Sequence, residues 1–354
     1  MKTRFHAIND TQPCYLIAEL SHNHQADANM AIQLVGEAAK SGANAVKFQK
    51  RNNASLFSAS YLQLPYTGPN SFGKTYGEHR EVLEPKLSWL LDCRKEAHQL
   101  GLDFIMTVFD IESLEFCERE LEVDAYKIQS GDLNYPDLIR AVAATNKPYF
   151  ISCGAATLSE IKSAWNLCKS LNTPFIMMYA VSAYPTKTEE VNLSRFKQLK
   201  KVLDTDAFGF SCHYQGIEPA ILVRALGCVA IEKHFTLDRG LAGPDHLISL
   251  LPAEWKELVS KLAETDRLIG HPFDESDDAE VDVYQRSARN KMCKAAVAIK
   301  NVEPGEMIQT KDVRFISPAS GINPQAFEQF WNKQLIYSIK EGEYFSPNHF
   351  EPGI

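Results

Sequence analysis

Eight times along this chain a short β-rich run is followed by a segment of helical periodicity, and this alternation restricts the fold more than any other feature. The runs are Tyr15 to Leu20, Ala45 to Lys50, Asp103 to Phe109, Ala125 to Ser130, Tyr149 to Gly154, Phe175 to Val181, Phe208 to His213 and Val229 to Phe235. Between them apolar residues recur at spacings of three and four, as in Met30, Leu34 and Ala38 or Leu87, Leu90, Leu91 and Ala97. Asp27, Thr157 and Asn192 stand where helix N-caps are needed, and Thr157 with Glu160 reads as a capping box. Strict alternation of type predicts parallel strands joined by right-handed crossovers. Such units close into a (β/α)8 TIM barrel or lie open as a doubly wound sheet with a ligand crevice at its switch point. The open sheet calls for a glycine-rich phosphate turn after the first strand. Glu19-Leu20-Ser21-His22-Asn23-His24 contains no glycine, which favours the α/β barrel.

The 354 residues exceed the roughly 250 of a plain barrel and leave room for a second, smaller domain. The periodic pattern runs through 1–270 and stops at an acidic stretch, HPFDESDDAEVD, which predicts a linker over 271–286. From 287 to 354 short β-rich runs (Ala295 to Ile299, Val313 to Ile316, Gln334 to Ile339) are broken by turns at Pro304-Gly305 and Lys340-Glu341-Gly342, with one short helix at Pro324 to Trp331. Within the barrel pattern, the connection from Arg51 to Pro85 is unusually long. It is either a lid whose Lys74, His79 and Arg80 close over an anion, or a solvated excursion.

A net charge of −8 and a pI near 5.7 disfavour nucleic-acid and membrane-surface partners, both of which need a basic field. No apolar run reaches the roughly 18 residues of a membrane span, and the start MKTRFHAINDTQP lacks the apolar core of a signal peptide, so cytoplasmic residence is expected. The eight cysteines form no CxxC pair and read as reduced and mostly structural, with Cys153 and Cys212 at strand ends leaving a catalytic thiol open.

Nearly every run ends in a residue able to do chemistry, and in a barrel that end is the catalytic face. Glu19, Lys47 with Gln49, Thr107, Lys127 with Ser130, Ser152, Ser182, Ser211 with His213, and Glu232 with His234 occupy those ends. Side chains two apart on a strand share a face, so one cavity is expected to hold lysines, imidazoles, a carboxylate and hydroxyls. Such a set is too costly to bury without a ligand, a metal or ion-pair partners. His213 and His234, on neighbouring strands, suit an open, oxygen-rich divalent site for Mn²⁺ or a similar ion; the alternative is a pair of hydrogen-bonded core histidines. Lys47 and Lys127, flanked by Ser130, Ser152 and Ser211, suit a ligand with phosphate and carboxylate groups. Pairing with carboxylates, or service as a Schiff-base nucleophile, are the competing roles for either lysine. Glu19 and Asp132 are candidate general bases, or ion-pair partners of those lysines.

At these residues the chain resembles the sialic acid (N-acetylneuraminate) synthase family, whose members condense phosphoenolpyruvate with an N-acylated hexose to give a nine-carbon acid. The resembling stretches are IAELSHNH (17–24), AVKFQ (45–49), FGKTYGEHRE (72–81), AYKIQSGD (125–132), FISCG (150–154), SAYPT (182–186), FSCH (210–213) and EKHFTLDRGLAGPDH (232–246). The stretch AVAIKNVEPGEMIQTKDV (296–313) resembles the antifreeze-like (β-clip) domain that the family appends. The resemblance implies His213 and His234 as Mn²⁺ (or Mg²⁺/Co²⁺) ligands. It implies Lys47, Lys127, Ser130, Ser152, Ser182 and Ser211 as phosphoenolpyruvate contacts, and Glu19, Gln49, Tyr184, Glu232 and Asp245 as sugar contacts and acid-base apparatus. It further implies an aldose such as N-acetylmannosamine, release of phosphate by C–O cleavage, and a domain-swapped homodimer. The chain departs from the family pattern at Cys212, where aspartate usually precedes the first histidine; at Tyr179-Ala180, in place of an HC pair; and at Ser317-Pro318, in place of an arginine-proline pair that reads the N-acyl oxygen. A Schiff-base aldolase acting on a sugar and pyruvate is the runner-up, and a non-catalytic carbohydrate- or ice-binding protein the reading from another class.

Overall fold

A computed structural model describes Phe5, Ile8, Asn9, 12–270 and 283–350. The chain divides into two compact units, Met1–Gly270 and His271–Ile354. The first is a closed barrel of eight parallel strands in chain order: β1 (Tyr15–Glu19), β2 (Ala45–Lys50), β3 (Asp103–Val108), β4 (Ala125–Ile128), β5 (Tyr149–Ser152), β6 (Phe175–Ala180), β7 (Phe208–Cys212) and β8 (Ala230–His234). β8 closes on β1, with Glu19 level with His234, and on the other side Glu19 is level with Lys47. Most strands stop one or two residues short of the run expected, so Ser130, Ser182 and His213 sit in the first turn of a loop.

The alternation along each strand sorts the residues into two environments. Outward residues such as Ala18, Val46, Phe48, Met106 and Ile151 pack against the helical layer and are fully buried there. Inward residues low in the barrel, among them Ile17, Ala45, Ile105, Ala125, Phe150, Ile176 and Ala230, form a separate apolar plug. Phe150 centres it, with Phe5 edge-on at 5.0 Å and Tyr15 stacked at 6.0 Å between ring centroids. Two residues further along the same inward faces come Glu19, Lys47, Thr107, Lys127, Ser152, Met178, Ser211 and Glu232, so the polar layer rests on a packed apolar floor.

Local signals act as expected at two helices. Asp27 accepts from the Met30 amide, and Thr157 with Glu160 forms the reciprocal capping box. Asn192 does not cap through its side chain: its φ is +44°, because it ends the short helix Thr188–Val191 before opening Leu193–Val202, and asparagine tolerates that left-handed hinge.

The long connection after β2 is ordered rather than a solvated excursion. It carries the helices Asn53–Leu56, Ala59–Leu62 and Tyr76–Leu83, with a backbone bridge between Pro65 and Thr75. Phe57, Tyr61, Tyr66 and Tyr76 form an aromatic cluster, and the His79 ring lies 4.4 Å from that of Tyr66. The three residues of the expected anion lid do not share one environment. His79 is buried and accepts the Phe72 amide, Arg80 lies over the Tyr76 ring, and Lys74 points to solvent.

In the second unit β9 (Ala295–Ala298) pairs antiparallel with β10 (Val313–Ile316). The third expected run, Gln334 to Ile339, contributes only isolated bridges to Met307 and Val302. The expected single helix is an α-turn, Pro324–Phe327, followed by a 3-10 turn, Glu328–Phe330, and Phe327 packs against Phe315, Trp331, Phe345 and Phe350. The expected linker lies largely outside the described residues. A helix, Val283–Met292, crosses its expected end, and its side chains from Tyr284 on are exposed. The Ser317 hydroxyl donates to the Met292 carbonyl at 2.8 Å, within this unit. Among the described residues no helix is long and apolar enough to cross a membrane.

Candidate active site at the barrel mouth

The polar layer is a charge network. Lys47 Nζ is ion-paired with Glu19 Oε2, lies 3.5 Å from Glu232 Oε1, and donates to Thr107 Oγ1 at 2.7 Å. Lys127 Nζ reaches Glu232 Oε2 at 2.7 Å and the Met178 sulfur at 3.7 Å, while the Ser211 hydroxyl donates to Glu232 Oε1 at 3.3 Å. All four charged side chains are buried, and two ammonium groups balance two carboxylates, which is what makes their burial tolerable. Burial works to discharge Lys47, but Glu19 and then Glu232 outweigh it and hold its pKa above the ordinary value. Burial likewise opposes the charge on Glu232, yet Lys127 and then Lys47 keep its carboxyl well below the usual range. At Lys127 burial wins over Glu232, and with Lys47 close by its pKa is lowered.

His213 and His234 stand beside this network with ring centroids 5.7 Å apart, both buried. His213 Nδ1 lies 2.8 Å from the Val181 carbonyl, which can only accept, so that nitrogen carries the proton and Nε2 keeps its lone pair. Burial, with His234 second, lowers the His213 pKa to about 3, and the ring is neutral. His234 Nδ1 is buried with no hydrogen-bond partner, 4.0 Å from Asp245 Oδ2. Two imidazoles, one oriented by a backbone carbonyl and one with an unpartnered nitrogen, are the donor chemistry a divalent cation takes. No group of three or more His, Cys, Asp or Glu side chains arranged to hold a metal occurs among the described residues. A cation here would complete its shell with oxygens from outside the protein.

A second polar chain runs around the rim. Gln49 Nε2 donates to Glu19 Oε1 at 3.1 Å and to Ser21 Oγ at 2.7 Å, and Ser21 Oγ donates to Asp245 Oδ2 at 2.8 Å. His22 Nδ1 is 3.8 Å from the same Asp245 oxygen, and His22 Nε2 is 2.9 Å from Arg51 Nη1. Sequence reasoning missed Ser21, His22 and Arg51 as parts of this site, whereas Thr107 stands at the strand end where it was expected. Arg51 had a signal, since it follows Gln49 at the strand-like spacing of two. Ser21 and His22 follow the end of β1, where spacing no longer fixes a face.

The remaining candidates divide. Ser130 Oγ accepts the Gly154 amide at 3.0 Å, and a Cβ added at Gly154 would stand 2.6 Å from Ser182 Oγ and 2.8 Å from Ser130 Oγ, so a hydroxyl pair surrounds the bare glycine. Ser152 Oγ is buried without a partner in the same region. The Tyr184 ring lies 4.1 Å from that of His213. Asp132 sits on the turn Ser130–Asp132 and forms no ion pair with either lysine, so it is not joined to the Lys–Glu network. Burial raises its carboxyl to about 6. The thiol of Cys153 is pushed by burial up to about 12, far from a thiolate. Cys212 faces outward into the helical layer, its sulfur 3.7 Å from the ammonium of Lys233, which also donates to the Tyr214 carbonyl.

Residues 34–273 match the model of the NeuB family. The chain is 30% identical over 336 residues to human N-acetylneuraminate-9-phosphate synthase, covering 95% of this chain and 92% of that protein. It is 32% identical over 335 residues to the N,N'-diacetyllegionaminic acid synthase of Campylobacter jejuni, covering 93% and 97%. Among solved structures, the N-acetylneuraminic acid synthetase of Leptospira borgpetersenii superposes with a TM-score of 0.67 at 31% identity, covering 79% of this chain and 94% of that one. The chain belongs to the NeuB family and is an enzyme of the sialic acid synthase type.

Proposed function

We propose that this enzyme condenses phosphoenolpyruvate with an aldose, N-acetylmannosamine or a related hexose, to give a nonulosonic acid and inorganic phosphate. The observation that carries the reading is the meeting of Lys47, Lys127 and Glu232 in one buried network beside the paired imidazoles of His213 and His234. Two ammonium groups with the hydroxyls of Ser130, Ser152, Ser182 and Ser211 suit an enol phosphate that carries a carboxylate. His213 and His234 would hold Mn²⁺, Mg²⁺ or Co²⁺, and the chemistry such an ion supplies is polarisation of a carbonyl oxygen. C3 of the enol forms a bond to the aldehyde carbon as the C2=C3 and carbonyl π bonds open, and the aldehyde oxygen ends as a hydroxyl by taking up a proton. Water adds at the cationic C2, and collapse of that centre to the 2-keto group breaks the C–O bond to phosphate. Glu19 takes the water proton; it alone of the two candidate bases touches the network, whereas Asp132 does not. Gln49, Tyr184 and Asp245, on the rim, face the sugar.

The second unit is proposed as an antifreeze-like domain of a swapped homodimer, in a cytoplasmic enzyme, and sedimentation equilibrium reads the stoichiometry. The test of the reaction is purified protein with phosphoenolpyruvate, Mn²⁺ and N-acetylmannosamine, mannose or diacetamido hexoses: phosphate and a 2-keto acid are expected, and no release with any aldose defeats the proposal. The lowered pKa of Lys127 favours one competitor, a Schiff-base aldolase. Borohydride trapping of pyruvate on that lysine, with turnover indifferent to chelators, would establish it instead.

A further inference from the structure

Arg51 is the hub of the rim, and the reading that follows rests on the proposed function for the identity of the ligand. The residue is buried, with its guanidinium over the Phe109 ring at 3.9 Å. It donates through Nη2 to Gln49 Oε1, and Nη1 lies 2.9 Å from His22 Nε2 and 3.3 Å from Glu84 Oε1. A guanidinium has only donors, so every atom facing it must accept. Gln49 therefore turns its carbonyl oxygen to Arg51 and its amide hydrogens to Glu19 and Ser21. Ser21, having accepted one hydrogen, has its own proton left for Asp245. His22 must offer the lone pair of Nε2, which places its proton on Nδ1, the nitrogen that faces Asp245. Burial, with Arg51 and Arg80 nearby, keeps that imidazole neutral. The fork of one side chain thus orients every hydrogen from Glu19 to Asp245.

We propose that Arg51 is a positioning residue for the aldose: it fixes the Gln49 amide and the His22 tautomer, so that donors already point at Glu19 and Asp245 before the sugar arrives. Neither Lys47 nor Lys127 bonds directly to Arg51, Gln49, His22 or Asp245, so a change at Arg51 reaches the enol phosphate side only through Glu19, which Gln49 shares with Lys47. Arg51 reaches Gln49 and His22 through two different nitrogens of a rigid planar fork, and a lysine at 51 replaces that fork with a single ammonium point that does not fix both partners.

The test compares full-length wild type, Arg51→Lys and Glu84→Gln in steady-state kinetics with phosphoenolpyruvate, Mn²⁺ and the aldose panel named above. Arg51→Lys is expected to raise the aldose KM roughly tenfold to a hundredfold, the size typical of losing an orienting partner, with the phosphoenolpyruvate KM within about twofold of wild type. Glu84→Gln removes the ion pair of Arg51 and spares its other contacts, so its aldose KM should stay near wild type. Equal losses in both variants, confined to kcat and Tm, would make Arg51 a structural residue and overturn the inference. Should Arg51→Lys fail to fold, Ser21→Ala cuts the same chain, and an unmoved aldose KM there overturns it as well. ¹⁵N spectra of the histidines give a reading without turnover: an Nδ1-protonated His22 is expected, and an Nε2-protonated one defeats the inference. A wild type inactive on every aldose defeats the proposed reaction and leaves the spectra to judge Arg51.

Discussion

Glu232 is shared between two lysines: its Oε2 lies 2.7 Å from Lys127 Nζ and its Oε1 3.5 Å from Lys47 Nζ. One carboxylate thus holds two buried ammonium groups together on the floor of the mouth, and removing its charge leaves like charges facing each other.

Glu232→Gln should therefore destabilise the protein by about 3 kcal/mol or more, as expected when one member of a buried ion pair is lost. An anion that binds the lysines takes over part of the lost role. Inorganic phosphate or phosphoenolpyruvate should raise the Tm of the variant more than that of wild type in a thermal-shift titration. Equal shifts in the two proteins would mean that the lysines do not receive the anion.

His24 gives the fold an acid sensitivity. Its buried ring stands 4.8 Å edge-on to Trp89 and accepts the Ala26 amide at Nδ1, and burial, with Arg51 second, lowers its pKa to about 3. A folded pKa below the unfolded value of about 6.5 means that the unfolded chain binds the proton first. The stability this residue contributes is then present above pH 6.5 and lost as the pH falls toward 3, by up to about 1.4 kcal/mol per pH unit. His24→Phe keeps the ring contact and loses the acceptor. Urea unfolding should find it about 1 kcal/mol less stable than wild type at pH 7 and at least as stable near pH 4.5. Parallel stability curves for the two proteins would contradict this.

The inward face was legible because a strand has a period of two: Lys47 implies Gln49, Ser211 implies His213, and Glu232 implies His234. Glu19 faces Lys47 from the neighbouring strand, but Glu232 on β8 meets Lys127 on β4 across the barrel, and that pairing appears only once the barrel closes. Beyond the strand ends that guide fails. Ser130–Asp132 is a 3-10 turn, and it leaves Asp132 off the lysine network. His79 looked like an anion ligand because its burial depends on Tyr66 and Phe72, with which it packs only in the folded connection. Arg51 was passed over because a charged residue just past a strand usually faces solvent.

The apolar floor separates stability from chemistry. Phe150 fills the barrel beneath the site, between Phe5 and Tyr15, and truncating it leaves a cavity there. Phe150→Ala should cost about 3–5 kcal/mol by denaturant titration. Where the variant is folded, its KM for phosphoenolpyruvate should stay near wild type, since Ser152 and Lys127 sit a layer above. A KM raised in step with the lost stability would show that the two layers are not independent.

Gly154 tests the hydroxyl pair directly. Its amide donates to Ser130 Oγ at 3.0 Å, and a methyl group there would meet Ser182 Oγ at 2.6 Å, Ser130 Oγ at 2.8 Å and the Ala180 carbonyl at 3.2 Å. The two hydroxyls have to move apart, while the backbone carbonyl cannot retreat without disturbing β6. Gly154→Ala should therefore cost about 1–3 kcal/mol, the usual range for overpacking, and raise the phosphoenolpyruvate KM by roughly tenfold or more through the displaced serines. The aldose KM should change less, because, of the proposed sugar contacts, only Tyr184 is close in the chain to Ser182, while Gln49 ends β2 and Asp245 follows β8. A variant that loses stability but keeps its phosphoenolpyruvate KM would remove Ser130 and Ser182 from the anion site.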